Sequence, residues 1–573
     1  MAKTRWLPLA TWLVVVAGSL TGLLRPGAWL PRQEVTLGPP FSHEEGFAFA
    51  ATVPFRLRRF DSREMPFRSE LRLFEDGREL GPSASARMDI QQVGRGAYTH
   101  VGRRVRFSTS DNSDPNVNGR RYVVSYPVAV PAILVVLAYL AATAIIVGAG
   151  LAVRWNTRRI LGGRGTSPRF MVGESLLVLF GLTVAAFAYP QVEILTTREG
   201  NAIAHLRFAE EIAETGVLYP AHFLYHLLVI AVHPFIPSSD WIYSGMVAVF
   251  LLYLLLAVVL WDLFRRALGG FAEGQDPYLL PLMAGSLMIV APITVLTWHL
   301  RNLYYGYMVS HQLWAQSAIA LKPFALLTLA LGVRVFHPTS PDRRPMTITA
   351  LAVAALMSTV AKPSFIVCFL PALGLLLIPR LWARRWVDLA VYVGALAIPN
   401  LALLVWQYVT TYLAVQHLSV GQVMSGQGTG IALAPLQVMG YLTEFLHPGL
   451  WWLLPKFVLS ILFPSLVTLL YREMAIHDWR LTLAWLTFGF GCFSAYFLAE
   501  VEVPTSGNFV WSGQIATFLL FVTAALFFVE QVMPPGRPTW RALVFDGRSS
   551  ACTTALALHV ICGLYHLAHP LSL

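Results

Sequence analysis

Long apolar runs alternate with short polar connections along most of this chain. Runs of about 20 apolar residues are long enough to cross a bilayer as helices, and the first two lie at residues 6–24 and 128–153. Residues 128–573 contain the rest and are predicted to form a polytopic transmembrane domain. The pattern predicts a mainly α membrane protein with about 12–14 hydrophobic helices. Segment 1–27 is expected to be a retained anchor, because no small-x-small cleavage site precedes Pro26 and Pro31.

Segment 28–127, between the first two runs, has a different pattern. Its short alternating stretches, such as SELRLFE and RRVRFSTS, are separated by the turn dipeptides Asp76-Gly77 and Asn118-Gly119. Alternation bounded by such turns is typical of antiparallel strands, so we predict an inserted β-sandwich domain. The loop 111–119, DNSDPNVNG, is rich in oxygen atoms that suit calcium or a glycan, and the same residues are typical of a tight turn.

The composition and charge agree with a membrane protein. Hydrophobic residues make up 56% of the chain and charged residues only 13%, which is more apolar than a soluble fold can bury. The formal net charge of +11 would suggest nucleic acid in a soluble protein. Here the excess lies in short loops between apolar runs, where it marks the cytoplasmic side, and no nucleic-acid partner is expected. The four cysteines lie in apolar runs, so no disulfide framework is predicted.

The arginine cluster between residues 154 and 169 assigns the two sides of the membrane. If this connection is cytoplasmic, the β domain before it and a loop at 190–221 after the next run both lie outside the cytoplasm. We therefore expect an integral protein of the bacterial cytoplasmic membrane with an extracytoplasmic β domain. Later arginine clusters agree with this topology and are Arg265 and Arg266, Arg343 and Arg344, Arg380, Arg384 and Arg385, and Arg537, Arg541 and Arg548.

Two apolar runs do not fit simple crossings. The run 222–237 is short, which favours a re-entrant or partly inserted segment. The run 346–378 has arginines at both ends and is too long for one span. We interpret it as a helical hairpin with its turn at Lys362-Pro363-Ser364.

The external loop 190–221 combines acids with an amphipathic segment. The preceding run is expected to end at Pro190, and Glu193 and Glu199 follow. At about 100° per residue the next segment forms a two-sided helix, which is expected to lie flat at the membrane interface. Its apolar side holds Leu206, Phe208, Ala209, Ile212 and Ala213, and its charged side holds Arg207, Glu210, Glu211 and Glu214. His205 is on the apolar side, either as a catalytic or phosphate-contacting group or as a core residue with a local partner.

This layout of hydrophobic span, acidic loop, interfacial helix and re-entry resembles the first external loop of the type C glycosyltransferases. These integral membrane enzymes take sugars from polyprenyl-linked donors. The resemblance implies an acid in this loop as general base, and we assign Glu199 to that role, with Glu193 as the second candidate. The family often has a further acid in the next external loop, but HLRNLYYGYMVSHQLWAQS has none. A family-like metal site is therefore not expected, and no cofactor is predicted.

Lysine is rare in this chain, and three of its four lysines interrupt apolar runs. Each of Lys322, Lys362 and Lys456 is next to a proline. An ionisable residue in an apolar run usually faces a cavity or a partner, and lysine suits phosphate as a mobile point charge. We predict that they bind the donor phosphate, with Arg198 and Arg301 stabilising it as it departs. The alternative is that all three lysines reach the outer interface.

Two further groups of residues suit a sugar or an acceptor. His222 and His226 are four residues apart, a spacing that places two imidazoles on one helical face and can hold a metal. No third ligand is evident nearby, so we favour an interfacial pair without metal. The loop EVEVPTSGNFVWSGQ combines amide, aromatic and carboxylate groups that sugars favour, or is an ordinary interfacial turn. The candidate sugar- or acceptor-binding residues are His205, His222, His226, Glu500, Glu502, Asn508 and Trp511.

An outward-facing site restricts the substrate, because nucleotide sugars stay in the cytoplasm. The expected function is transfer of a sugar from a polyprenyl-phosphate donor to a glycan or lipid acceptor in envelope synthesis. Glu199 would remove the proton of the attacking hydroxyl, and the β domain would hold the acceptor or a partner protein. The alternatives are a transporter or flippase for a lipid-linked saccharide, and a non-catalytic subunit of a polysaccharide assembly. Nothing in the sequence indicates an oligomeric state.

Overall fold

The computed structural model describes most of the chain, with gaps. The described ranges are 32–53, 71–101, 104–127, 168–196, 201–218, 222–236, 241–270, 278–297, 306–310, 315–410, 430–444, 449–501, 507–533 and 546–567, with a few single positions between them. The predicted anchor 1–27, nearly all of the predicted span 128–153 and the arginines at 154–164 lie outside these ranges.

The N-terminal described region consists of eight strands and one short helix. The strands are β1 (Arg32–Leu37), β2 (Ser42–Glu45), β3 (Ala48–Thr52), β4 (Arg72–Glu75), β5 (Arg78–Glu79), β6 (Tyr98–Val101), β7 (Arg104–Phe107) and β8 (Tyr122–Pro127), with helix α1 (Arg87–Gln92) before β6. They form two antiparallel sheets, in the orders β1-β8-β4-β5 and β2-β3-β7-β6. Leu73 and Val124 of the first sheet and Val105 and Phe107 of the second belong to one buried apolar cluster.

The turns of this region follow the predicted chemistry. Asp76 and Gly77, between β4 and β5, have φ values of 46° and 82°, as a two-residue hairpin turn with two left-handed positions requires. In the loop 111–119, the Asp111 carboxylate accepts hydrogen bonds from Arg120 and Ser113, and Asp114 accepts one from the Asn116 amide. The oxygen atoms of these two carboxylates serve the loop itself, which supports the tight-turn interpretation.

The rest of the chain is mainly helical. Its helices are α2 (Pro168–Thr196), α3 (Asn201–Thr215), α4 (Leu224–Val232), α5 (Trp241–Ala267), α6 (Leu279–Ile289), α7 (Gln316–Val335), α8 (Pro345–Ala361), α9 (Ile366–Trp382), α10 (Trp386–Val391), α11 (Ile398–Tyr408), α12 (Gln437–Glu444), α13 (Leu453–Ser460), α14 (Leu462–Leu470), α15 (Arg472–Ala475), α16 (Trp479–Phe497), α17 (Val510–Val532) and α18 (Gly547–Leu567). A π-helical stretch, Tyr392–Ala397, joins α10 to α11. Strands β9 (Ile431–Leu433) and β10 (Leu498–Glu500) pair antiparallel.

The apolar helices indicate an integral membrane protein. Within the described ranges six helices are long and apolar enough to cross a membrane, or seven if the bent pair α13–α14 is one span. Four more apolar helices are shorter. The predicted total of about 12–14 also includes segments outside these ranges. Helix α17 is the most enclosed candidate span, with 78% of its apolar window buried by protein.

The two irregular runs are resolved as short helices. Helix α8 ends at Ala361, Lys362 is extended (φ −170°, ψ 133°), and α9 begins at Ile366, so the predicted break is confirmed. The two helices pack mainly on different neighbours, α8 on α7 and α9 on α16, and not along each other as hairpin arms would.

Helix α4 and the following 3-10 turn cover residues 224–235. At about 1.5 Å per residue this is too short to cross a bilayer about 30 Å thick.

Two predictions about the loop 190–221 are wrong. Pro190 does not end the preceding run, because α2 continues through it to Thr196. The amphipathic helix α3 is present, but its apolar face is buried by protein. Leu206, Ala209 and Ile212 are at most 5% exposed, because α4 and α5 pack on that face. Helix α3 therefore does not use this face to lie on lipid, as the sequence led us to expect.

Non-helical backbone lies inside the helical region near the bent pair. Helices α13 and α14 meet at 63°, and residues 290–294 and 306–310, which hydrogen-bond to the end of α13, are not helical. His559 of α18 bonds the carbonyl of Ala291 (2.6 Å) and the amide of Phe463 (3.4 Å). Irregular backbone is stable at membrane depth only when protein partners satisfy it, and His559 supplies two of those partners.

Candidate functional site

Lys362 lies where three helices meet, at the junction of α8 and α9. Its side chain is 9% exposed. The Nζ atom donates a long hydrogen bond of 3.4 Å to Ser317 Oγ at the start of α7, and it lies 4.2 Å from the centroid of the Trp511 ring at the start of α17. No carboxylate among the described residues pairs with Lys362. Among the described residues, the ammonium therefore contacts a hydroxyl dipole and an aromatic face.

Three histidines lie on or next to helices α3 and α4, which pack against the helices around this lysine. His205 of α3 and His226 of α4 are buried, and a hydrogen bond of 2.8 Å joins His205 Nδ1 to His226 Nε2. The His222 ring is 6.0 Å from the His205 ring, centroid to centroid. His205 is thus buried with a local partner, as one of the two interpretations expects, and the partner is another histidine.

The electrostatics place Lys362 and these imidazoles in one neighbourhood. Burial lowers the pKa of His205 well below its usual value, and the charges of His226, His222 and Lys362 lower it further. The pKa of His222 falls chiefly through burial and then through the charge of Lys362. Both imidazoles are therefore neutral near pH 7, because protonation would place a second positive charge beside a buried ammonium.

The other two lysines are separate from this cluster. Lys322 is 5% exposed and lies 4.8 Å from the centroid of Phe518, two turns along α17 from Trp511. Lys456 is fully buried in α13, 5.9 Å from the centroid of Tyr307. All three lysines point into protein, so the alternative that they reach the outer interface is wrong. The structure does not bring the three ammonium groups onto a single ligand position.

The predicted sugar-binding loop is partly described. Glu500, at the end of β10, is 2% exposed and accepts a hydrogen bond of 2.9 Å from Asn508 Nδ2. Asn508 precedes Trp511 by one helical turn, so the amide and carboxylate lie near the aromatic ring that contacts Lys362. Glu500 lies in β10, Asn508 in a 3-10 turn and Trp511 in α17, so these residues do not form one loop. Glu502 lies outside the described residues.

His222 and His226 do not have the arrangement on one helical face that their spacing allows. His222 precedes the first residue of α4, so the two imidazoles do not share a helical face. His226 bonds His205 instead. Across the described ranges, no group of three or more His, Cys, Asp or Glu side chains is arranged to hold a metal ion.

The structure describes the position of only one of the two predicted catalytic acids, Glu193. Glu199 and Arg198 lie outside the described residues, and so does Arg301. Glu193 lies in the last turn of α2, before the loop in which it was expected. The general base therefore stays a prediction.

Sequence reasoning missed some polar groups near this cluster. Ser317 contacts Lys362, and the preceding Gln316 is fully buried, with no hydrogen-bond partner for its amide in the described part of the chain. Tyr225 is also fully buried, and its hydroxyl has no such partner. The only sequence signal for Gln316 and Ser317 is that two polar residues open an apolar run.

This cluster has the chemistry of an anion site. An ammonium, a hydroxyl and neutral imidazoles are all hydrogen-bond donors, and a phosphate group accepts from such donors strongly. A scan against models of protein families, a search of curated proteins and a search of solved structures each find no match to this chain. The site itself therefore carries the argument for function.

Proposed function

We propose that this protein is a membrane glycosyltransferase that takes a sugar from a polyprenyl-phosphate donor at the extracytoplasmic face. The observation that carries the proposal is Lys362, a buried ammonium with a hydroxyl and an aromatic ring as its contacts and no carboxylate partner among the described residues. Burying such a charge among apolar helices costs several kcal/mol. A bound phosphate would offset that cost and explain why the lysine is there.

The arrangement of the chain supports a donor that arrives through the lipid. The described ranges contain six candidate spans, and a donor with a polyprenyl tail would reach such a protein from the bilayer. A water-soluble nucleotide sugar would not reach an extracytoplasmic site. The layout of span, loop, α3 and α4 also resembles the type C glycosyltransferases, in which such donors are used.

The two N-terminal sheets fit the proposal as an acceptor domain. Because they share one apolar cluster, we infer that they pack as a β-sandwich. On the proposed topology this domain lies outside the cytoplasm. It would hold the glycan or lipid acceptor, or a partner protein, above the donor.

The proposed reaction is a displacement at the anomeric carbon. Glu199 accepts the proton of the acceptor hydroxyl as its oxygen attacks. The bond from the anomeric carbon to the phosphate oxygen breaks, and Lys362, with Arg198 and Arg301, stabilises the departing polyprenyl phosphate. Glu500, Asn508 and Trp511 contact the sugar.

The test is sugar transfer by the purified full chain in proteoliposomes, with a radiolabelled polyprenyl-phosphate sugar as donor. We expect Glu199→Gln to lower the rate about 10²-fold or more while donor binding survives. Lys362→Met should weaken donor binding instead. Glu210→Gln, on the exposed side of α3, is the matched control. It should change neither the transfer rate nor donor binding.

Two results would contradict the mechanism. An unaffected rate in Glu199→Gln would move the base to Glu193, and full activity with both glutamates replaced would exclude a carboxylate base in this loop. Donor binding that survives Lys362→Met would remove the phosphate site.

A flippase for a lipid-linked saccharide is the second candidate, and one observation favours it. The 63° break between α13 and α14, with non-helical backbone beside it, is a feature of transporter sites. Movement of the labelled donor between leaflets, without an acceptor and without release of sugar, would support this candidate over the transferase.

A further inference from the structure

The pair formed by His205 and His226 lies on helices that pack against the helices around Lys362, and the reaction proposed above does not use it. Both rings are buried, at 6% and 0% exposed. They come from different helices, α3 and α4. Helix α4 packs against α7, which carries Ser317, and against α8, which Lys362 follows, and α3 packs against α7. The pair is thus held by tertiary packing next to the anion site.

Their hydrogen bond constrains the position of the protons. Since His205 Nδ1 and His226 Nε2 are 2.8 Å apart, one nitrogen donates and the other accepts. His226 Nδ1 is buried and has no hydrogen-bond partner within the described ranges. The rings of Phe208 and Tyr225 lie against His226, and neither ring offers a lone pair to an N–H group.

The surroundings of His226 favour one of the two possible directions of this hydrogen bond. If His205 donated, the proton of His226 would be on Nδ1, and a buried N–H would have no acceptor. If His226 Nε2 donates, its bare Nδ1 lies among apolar atoms and the single N–H of His226 is paired with His205. Buried unpaired N–H groups are rarer than unpaired acceptors. His205 then accepts on Nδ1 and carries its own proton on Nε2.

We propose that His205 donates its Nε2–H to an oxygen of the phosphate group that Lys362 binds, and that His226 positions this donor by fixing the tautomer. The inference rests on the proposed function and names one more contact to the same ligand. That ligand is a lipid phosphate. The neutral imidazole adds a directed hydrogen bond to the non-directional charge of the ammonium.

The experiment measures binding of radiolabelled farnesyl phosphate to the full chain in detergent. His205→Leu should weaken binding about 10-fold or more, as expected for loss of one hydrogen bond to a charged group. His205→Gln should stay within about threefold of the wild type, because its amide Nε2 donates from a similar position. His233→Leu removes a histidine that bonds Ser244, outside the cluster, and should bind normally.

A second set of variants separates positioning from structure. His226→Leu should weaken binding in the wild-type background, because His205 loses its fixed tautomer. In the His205→Gln background the same change should have no further effect, since an amide donor needs no tautomer. A further loss of binding there would show that His226 is only structural and would overturn its positioning role.

The outcomes also separate this inference from the proposed function. If Lys362→Met abolishes binding and His205→Leu does not affect it, the inference fails and the phosphate site stands. If Lys362→Met has no effect, the proposed function fails. Displacement of farnesyl phosphate by inorganic phosphate at equal concentration, or by farnesol, would overturn the assignment to a lipid phosphate.

Discussion

The Lys362 ammonium lies 4.2 Å from the centroid of the Trp511 ring, across a sequence separation of about 150 residues. The lysine follows α8 and the tryptophan opens α17, the most enclosed of the candidate spans. A cation over an aromatic face is stabilised more when it is removed from water. The pair therefore stabilises a charge in the interior of the helical domain.

Lys362→Met should raise the apparent thermal stability of the protein. The substitution removes a buried charge that has no carboxylate partner among the described residues and keeps most of the side-chain volume, so we expect a gain of about 1 kcal/mol or more. Thermal unfolding in detergent measures it. Arg472→Met, at an exposed position, should change stability by less than about 0.5 kcal/mol. A loss of stability in Lys362→Met would show that the lysine is a structural group.

Trp511→Leu should lower stability, and part of the loss should depend on Lys362. We expect a coupling of about 0.5–2 kcal/mol between the two positions, the range for a cation over an aromatic ring. A double-mutant cycle with Lys362→Met measures it. Equal effects of Trp511→Leu in both backgrounds would mean that the ring contributes only packing.

Acid should destabilise the protein through the buried histidines. The folded-state pKa of His205 and of His222 is lowered, through burial and through the facing charges of His226 and Lys362. As the pH falls below about 6.5, the unfolded state takes up protons first, so this stability is present above that pH and lost below it. Thermal unfolding at pH 8 and pH 5 should show a larger loss in the wild type than in His205→Gln. Parallel losses in the two proteins would contradict this.

Gly563→Ala should destabilise the packing of α18 on the end of α6. A Cβ atom at this position would lie 1.6 Å from the carbonyl oxygen of Ile289, so backbone must move. We expect a cost of about 1–3 kcal/mol or more. Gly489→Ala is the matched control, because its Cβ would meet nothing within 4 Å, and there a helix should gain slightly. Comparable stability of the two variants would contradict this packing.

The β domain and the loop before α3 should lie on the same, extracytoplasmic side. The arginines between residues 154 and 169 motivate this topology. Single cysteines at Val117, which is 81% exposed, and at Gly200 should react with a membrane-impermeant reagent from the same side. The parent chain with its own four cysteines gives the background. Labelling of the two positions from opposite sides would overturn the topology.

The features that the sequence determined are local ones. Apolar runs predicted helices of spanning length, the Asp76-Gly77 dipeptide predicted a hairpin turn, and Lys362-Pro363 predicted the end of α8. The two-sided pattern of 201–215 predicted α3. Each of these depends on the conformational preferences or the spacing of residues within a few turns of each other.

Tertiary structure decided what those elements face. An apolar helical face has the same pattern whether lipid or protein covers it, so the burial of α3 under α4 and α5 had no sequence signal. Pro190 continues α2, although proline usually ends a helix in solution. The partners of His205 and Lys362 are His226, Ser317 and Trp511, and these contacts join different helices. Only the packing of those helices brings the donors of the site together, because no local spacing encodes a contact between distant segments.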